Sequence, residues 1–212
     1  MDIKRFEFNY FGENTYIIWD PRSKEAAIID PGMVNPEEVD EAEAFLADKS
    51  LELKYILLTH IHIDHTFGID ILKEKHNLKV YAHKGDAQLG LTRRQQAKMF
   101  HLPLELGPVD IDSFLDDGST LRLGKEEIKV IHTPGHSMGG ICFYVPASGF
   151  VLTGDTLFRG SIGRTDLPGG NQRQLILAIR SKLLTLPRET RVYPGHGPSS
   201  TIGEEAHSNP FL

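Results

Sequence analysis

The sequence predicts an α/β domain in which two β-sheets pack together and helices cover the outside. Three observations lead to this prediction. Many short strand patterns run along the chain, with helical patterns between them. Apolar residues make up 40% of the 212 residues, which is enough for a continuous core. No low-complexity linker or internal repeat divides the chain, so we expect one domain over residues 1–212.

The first half of the chain alternates predicted strands and helices. A helix is predicted to begin at Asn35-Pro36-Glu37-Glu38, because an N-cap residue, a proline at the first helical position and an acidic first turn follow one another. Val39, Ala42, Phe45 and Leu46 continue it at helical spacing. Strands are predicted at 3–8, 14–20, 24–30, 53–59 and 79–83, and further helices at 67–77 and 84–100.

The second half contains more strands. Turn signals at Asp117-Gly118 and Leu123-Gly124 separate short strands, and the segment GGICFYVPASGFVLTGD indicates two strands joined at Pro146 to Gly149. A helix is predicted over 172–186, with one apolar face. A strand at 191–196 and an irregular tail are expected to follow.

Composition and charge exclude several classes of function. The net charge is −6 and the densest basic run, Arg93-Arg94 with Lys98, is short, so we interpret it as a solvated helix face and expect no nucleic-acid partner. The N-terminus lacks the pattern of a secretory signal, and no apolar stretch is long enough to span a bilayer, so we expect no membrane partner. The one cysteine, Cys142, is interpreted as a core residue, and its lack of a disulfide partner fits a reducing, cytoplasmic location.

Histidine and aspartate residues cluster where four predicted strands end. In α/β proteins such loops are where site residues gather. Any one of these side chains taken alone would be an ordinary structural residue, but converging imidazoles without a metal would repel or leave nitrogens unpaired. Histidine with carboxylate suits zinc, iron or manganese, and the number of donors exceeds one tetrahedral zinc, which indicates two divalent ions. The candidate ligands are His60, His62, Asp64, His65, His136, Asp155 and His196.

The motif THIHIDH, followed by GH, GD and GH between Thr59 and His196, resembles the metallo-β-lactamase superfamily. The resemblance implies an αββα sandwich of two mixed sheets flanked by helices. It also implies how the ligands are divided, with zinc as the first expectation and iron or manganese as alternatives. The first ion would be held by His60, His62 and His136, the second by Asp64, His65 and His196, and Asp155 would bridge them.

Within the superfamily, the segment GDTLFRGSIGRTDLPGGN resembles the glyoxalase II group, and the tail GEEAHSNPFL resembles its smaller members. The resemblance implies hydrolysis of a small-molecule thioester, such as S-D-lactoylglutathione, to D-lactate and glutathione by a metal-bound hydroxide. Asp64 and Asp155 are the candidates to orient that hydroxide or move its proton. Full-length members carry an extra helical domain that holds glutathione, and we expect no such separate domain here.

Three further residues belong to the candidate site. Asp30, in DPG, matches a family position that supports the histidine loop, with a turn role as the alternative. Arg164 and Asp166 are expected to order the loop beside the metals through an ion pair, with substrate contact as a second role.

A second function class stays open. Persulfide dioxygenases of the same superfamily share a GRTD-like segment and use one iron, which His60, His136 and Asp155 could hold. A β-lactamase is disfavoured because that activity usually belongs outside the cytoplasm. A nuclease would need an added domain or a basic surface, and neither is visible in the sequence. A non-catalytic binding protein would not need the full set of ligands. The natural metal, the acyl and thiol groups of the substrate and the oligomeric state are left open by the sequence.

Overall fold

The computed structural model describes residues 1–212 and contains two six-stranded mixed sheets with helices on both outer faces, as predicted. In the first sheet the strands follow one another in chain order; β1, β2 and β3 pair antiparallel, and β3 to β6 run parallel. Its strands are β1 (Asp2–Phe8), β2 (Glu13–Trp19), β3 (Glu25–Ile29), β4 (Glu52–Leu57), β5 (Val80–Ala82) and β6 (Ser113–Phe114).

The second sheet has the order β14-β13-β10-β9-β8-β7, and a two-stranded ribbon, β11 with β12, accompanies it. All neighbours in this sheet pair antiparallel except β10 and β13, which run parallel. Its strands are β7 (Thr120–Leu123), β8 (Glu126–His132), β9 (Ile141–Val145), β10 (Phe150–Gly154), β13 (Arg191–Pro194) and β14 (Ser200–Thr201), and the ribbon is β11 (Leu157–Phe158) with β12 (Ser161–Ile162).

The core has three layers because alternate side chains of a strand point to opposite faces of its sheet. In β2, Tyr16 and Ile18 belong to the cluster between the sheets, whereas Ile17 and Trp19 pack on the helix side. The second sheet buries its outer face in the same way, with Cys142 among the apolar residues there. The helices are α1 (Pro36–Lys49), α2 (Ile69–His76), α3 (Ala87–Leu91), α4 (Arg93–Met99), α5 (Gln172–Ala178) and α6 (Ile202–Ser208).

Helix α1 begins where the capping pattern predicts. The Asn35 side chain accepts a hydrogen bond from the backbone N–H of Glu38 and so satisfies a donor that has no partner within the helix. Val39, Ala42 and Leu46 are buried against the first sheet. The helix ends at Ser50, which adopts the left-handed conformation.

Three local predictions are wrong. The helix expected over 84–100 is divided at Thr92 into α3 and α4, and the α-helix expected over 172–186 gives way to a π-helical turn at Ile179–Leu183. The tail is not irregular, because α6 begins there with a capping box in which Thr201 and Glu204 each bond the other's backbone N–H.

The interpretation of the basic run as a solvated face is wrong for Arg93. Its side chain is fully buried and donates to the Asp70 carboxylate at 2.9 Å and to the Thr66 carbonyl at 2.7 Å. Arg94 is exposed and pairs with Glu105, as a surface residue would. Arg93 therefore ties α4 to the segment that follows the histidine cluster.

None of the helices is both long enough and apolar enough to cross a membrane.

Candidate metal centre

The predicted ligands come from loops at the carboxyl ends of four strands, one in the first sheet and three in the second. The histidine loop follows β4, and a single 3-10 turn at Ile63–His65 ends it. His136 lies in the loop after β8, Asp155 follows β10 and His196 follows β13. The two sheets pack face to face, so these strand ends meet at one edge of the sandwich.

One group consists of three buried or nearly buried imidazoles. Nδ1 of His62 lies 2.8 Å from Nε2 of His136, which lies 3.3 Å from Nε2 of His60. A tetrahedral zinc with nitrogen bonds of about 2.0–2.1 Å places its ligand atoms about 3.3 Å apart. Burial is the main cause that lowers the pKa of His62, to about 3, and the nearby His136 is the second cause. The imidazole of His62 is therefore neutral and offers a lone pair. The spacing and the charge state fit a cation.

The second group combines two imidazoles with a carboxylate. Oδ2 of Asp64 lies 3.2 Å from Nε2 of His196 and 3.6 Å from Nε2 of His65. Burial opposes ionisation of Asp64, but His65 and His196 outweigh it and hold the pKa of its carboxyl below the usual range. Burial likewise opposes the charged form of His65, yet Asp64 and Asp155 raise its pKa. These carboxylates make the position favourable for positive charge.

Asp155 lies between the two groups. Its Oδ1 is 3.5 Å from Nε2 of His65, and its Oδ2 is 3.6 Å from Nε2 of His136 and 3.7 Å from Nε2 of His196. Oδ1 of Asp155 and Nε2 of His65 are buried without a hydrogen-bond partner. Buried polar atoms without partners are costly, and a cation among them would satisfy them. The donors at this edge therefore suit divalent metal ions.

Asp30 lies directly beneath the histidine loop. Its carboxylate accepts from the Thr59 backbone N–H at 2.7 Å and from the Thr59 hydroxyl at 2.6 Å. Its Oδ2 is also 3.1 Å from Nδ1 of His65. These contacts hold the start of the loop and orient the His65 ring, so that Nε2 of His65 faces Asp64 and Asp155.

Arg164 and Asp166 form the expected ion pair, with Nε and Nη2 of Arg164 at 2.8 Å and 2.7 Å from the two Asp166 oxygens. The Arg164 side chain holds the pKa of the Asp166 carboxyl at about 2. The contact of this loop with the candidate centre is made by the backbone instead. The Arg164 carbonyl accepts from Nδ1 of His136 at 2.7 Å, which directs the lone pair on Nε2 of His136 toward the other donors.

Two buried acids of the site escaped the sequence reasoning. Asp86 accepts from the backbone N–H groups of Ile61 and Gly139 and from the Ser137 hydroxyl, so one carboxylate joins the histidine loop to the His136 loop. Glu13 lies on the other side, with Oε1 3.8 Å from Nδ1 of His65, and burial raises the pKa of its carboxyl. Neither acid lies at the end of an apolar strand pattern, and no other feature of the sequence marks either of them as a site residue.

Cys142 is fully buried, as expected, and burial raises the pKa of its thiol to about 11. Three of the histidines outside the candidate ligand set have local partners. His76 lies 2.9 Å from Glu43, and His83 stacks on His132 at 4.0 Å between ring centroids. These residues take no part in the candidate centre.

The candidate centre opens into a cavity of about 840 Å³. Clefts of about 300–1,000 Å³ are the usual size for binding small organic molecules. His62, Asp64, His136, Asp155 and His196 form its floor. The arrangement can therefore hold cations beneath a bound small molecule.

The chain matches the family described as the metallo-beta-lactamase superfamily over residues 9–196. It is 38% identical to the hydroxyacylglutathione hydrolase GloC of Haemophilus influenzae, and the match covers 100% of this chain and 98% of the relative. The matched region includes every predicted ligand.

Solved structures share the fold over almost the whole chain. The BLEG-1 B3 metallo-beta-lactamase superposes with a TM-score of 0.89 at 33% identity, covering 100% of this chain and 99% of that one. The structure of TTHA1623 in a di-iron-bound form superposes with a TM-score of 0.86 at 38% identity, and the match covers 99% of this chain and 100% of that one. The structure of ETHE1 from Myxococcus xanthus superposes with a TM-score of 0.81 at 29% identity, and the match covers 99% of this chain and 84% of that one.

Proposed function

The chain belongs to the metallo-beta-lactamase superfamily, and from this premise we propose that it is a binuclear metal-dependent thioester hydrolase of the glyoxalase II type. The observation that carries the proposal is the position of Asp155 between two groups of donors that open into one cavity. The similarity to a hydroxyacylglutathione hydrolase supports a thioester such as S-D-lactoylglutathione as substrate.

We assign two divalent ions to the donors in the division that the motif implies. His60, His62 and His136 would hold the first ion, and imidazole nitrogens suit zinc, iron or manganese. Asp64, His65 and His196 would hold the second, with Asp155 shared. When bound, such ions polarise a carbonyl oxygen and bring the pKa of water down to about 7.

The protein's own side chains orient the reaction. Asp64 and Asp155 present carboxylate oxygens at the cavity floor, where they would orient the attacking water or take up its proton. Asp30 and the Arg164 carbonyl hold the rings of His65 and His136 in place. The water oxygen adds to the carbonyl carbon, and the tetrahedral adduct then collapses with cleavage of the carbon–sulfur bond. The products are a carboxylic acid and a thiolate, which takes up the proton that water lost.

No nucleophilic side chain is needed. A thiol of pKa about 8.5 leaves readily as thiolate, so the leaving group requires little protonation. Cys142 is buried outside the cavity with its pKa raised to about 11, which excludes it as a nucleophile.

The alternative is a mononuclear iron persulfide dioxygenase using His60, His136 and Asp155. This reading leaves Asp64, His65 and His196 without a role, although their ligand atoms also lie within 4.8 Å of one another. The second group of donors therefore favours the hydrolase.

Metal analysis combined with thioester turnover tests the proposal. The purified chain is expected to carry two divalent ions and to release thiol from S-D-lactoylglutathione, and chelation is expected to abolish turnover until zinc, manganese or iron is returned. One iron per chain, oxygen consumption with glutathione persulfide and no thiol release would overturn the hydrolase in favour of the dioxygenase.

A further inference from the structure

The cavity above the candidate metal centre has walls of a different chemistry from its floor. Leu89 of α3, Met99 of α4 and Phe100 directly after α4 line the cavity, and the Phe11 ring packs against Phe100. Phe158 and Leu167 add further apolar lining. The hydrolysis itself needs only the polar floor, so the apolar walls require a separate explanation.

Two methionines extend these walls into solvent. Met99 on α4 is 53% exposed and Met138, in the His136 loop, is 63% exposed, although both are large apolar side chains. Methionine is flexible and polarisable, and it adapts its shape to apolar ligands. Apolar side chains on both sides of one opening indicate a surface that becomes buried when a ligand is present.

The walls of the cavity offer no free lysine or arginine that could bind the charged groups of a substrate. Arg164 is the one lysine or arginine that lines the cavity, and Asp166 already engages its guanidinium through two hydrogen bonds. A glutathione moiety carries two carboxylates, which these walls would leave unpaired.

We propose that the apolar walls bind the acyl group of the substrate, and that this group is an apolar chain or ring larger than lactoyl. The inference rests on the proposed thioester hydrolysis and specifies its substrate class. The acyl side is favoured because the thiol carriers of cells are polar or charged, and they fit the solvent beyond the opening better than the walls. Cavity volume supports the same conclusion, since about 840 Å³ far exceeds what a three-carbon acyl group fills.

A series of glutathione thioesters with acetyl, butyryl, hexanoyl and D-lactoyl groups tests this proposal with the metal-loaded protein. Each buried methylene contributes up to about 0.8 kcal/mol, which corresponds to a rise of at most about fourfold in kcat/KM. We expect kcat/KM to rise with chain length and to be at least about tenfold higher for hexanoyl than for D-lactoyl. Equal values, or a preference for D-lactoyl, would overturn this inference and leave the hydrolase intact. No turnover of any member would overturn the proposed function and the inference with it.

Two pairs of variants locate the effect. Met99→Gln and Met138→Gln remove apolar walls, and we expect each to lower the hexanoyl to D-lactoyl ratio of kcat/KM about fourfold or more. Leu91→Gln and Leu177→Gln are matched controls, because these leucines are 57% and 65% exposed but do not line the cavity. An unchanged ratio in both methionine variants, or an equal fall in the leucine variants, would contradict the assignment of the walls.

Binding provides a readout without turnover. S-hexylglutathione and S-methylglutathione are thioethers that cannot be hydrolysed and differ only in apolar length. Calorimetry is expected to give at least about tenfold tighter binding of the hexyl compound, and Met138→Gln is expected to reduce the difference. Equal affinity of the two thioethers would overturn the proposal.

Discussion

The floor and the walls of the cavity are built in opposite ways. The floor consists of short loops at strand ends, where buried acids such as Asp30 and Asp86 hold the backbone through several hydrogen bonds each. The walls consist of side chains from two short helices and the neighbouring loops, including the exposed methionines Met99 and Met138. A network of buried hydrogen bonds fixes geometry, whereas flexible apolar side chains adapt to a ligand. From this comparison we expect the chemistry to depend on the rigid part and the substrate preference on the adaptable part.

The largest effect is expected at the centre of the floor. Asp155→Asn keeps the volume but removes the charge shared between the two groups of donors. We expect metal content to fall and thioester turnover to drop by more than about 100-fold. Loss of a residue that only orients a metal ligand costs at most about that much. Metal analysis and kinetics measure this, with circular dichroism to establish folding. Unchanged metal content and activity would show that Asp155 is not a ligand.

A smaller effect on metal affinity and activity is expected at Asp86, whose carboxylate supports the floor of the cavity. Asp86→Asn replaces an oxygen that accepts hydrogen bonds with an amide that donates, so the link between the Ile61 and Gly139 backbones is lost. We expect metal affinity and activity to fall about 10–100-fold, as for other residues that orient ligands. The matched control is Asp112→Asn, since Asp112 also accepts a backbone N–H but lies away from the cavity. Equal losses of metal affinity in both variants would remove the special role of Asp86.

Arg164→Ala is expected to have a weaker effect on the floor. The contact with His136 comes from the Arg164 backbone carbonyl, which the substitution keeps, and the ion pair with Asp166 is exposed to solvent. Exposed ion pairs contribute about 0–1 kcal/mol, so we expect metal content to stay unchanged and turnover to fall less than about tenfold. Loss of metal in this variant would mean that the side chain, and not the carbonyl, orders the loop.

The smallest effect concerns stability in acid. Burial opposes ionisation of Asp112, but the Val80 N–H and Lys73 outweigh it and lower the pKa of its carboxyl. A folded-state pKa below the unfolded value of about 3.9 stabilises the protein above that pH, and the stabilisation is lost as pH falls through the folded pKa. Asp112→Asn should therefore cost about 1 kcal/mol at neutral pH and less below about pH 4. Urea unfolding at both pH values tests this, and a loss that grows in acid would contradict it.

The floor could be predicted from the sequence far better than the walls. Each predicted ligand lies in a loop that follows an apolar strand pattern, and such loops at the strand ends of an α/β fold are where site residues gather. Asp86 and Glu13 act through contacts distant in sequence, and no local pattern distinguishes them from turn residues. The burial of Arg93 depends on the packing of α4 against the Thr66 segment, which the basic run does not encode.

One missed element did carry a signal. The segment beginning at Thr201 has a glutamate three positions later, which is the pattern of a capping box and marks the start of α6. The break at Thr92 had a weaker signal, Gly90 two residues before it, and the Thr92 hydroxyl bonds the Leu89 carbonyl there. Helix ends were predictable where a side chain caps the backbone and not where packing decides.

The central claim is that two ions flank Asp155, and anomalous diffraction from crystals at the absorption edge of the bound metal tests it most directly. The account predicts two anomalous peaks, one among His60, His62 and His136 and the other among Asp64, His65 and His196, with Asp155 touching both. A single peak among His60, His136 and Asp155 in fully metal-loaded crystals would contradict it.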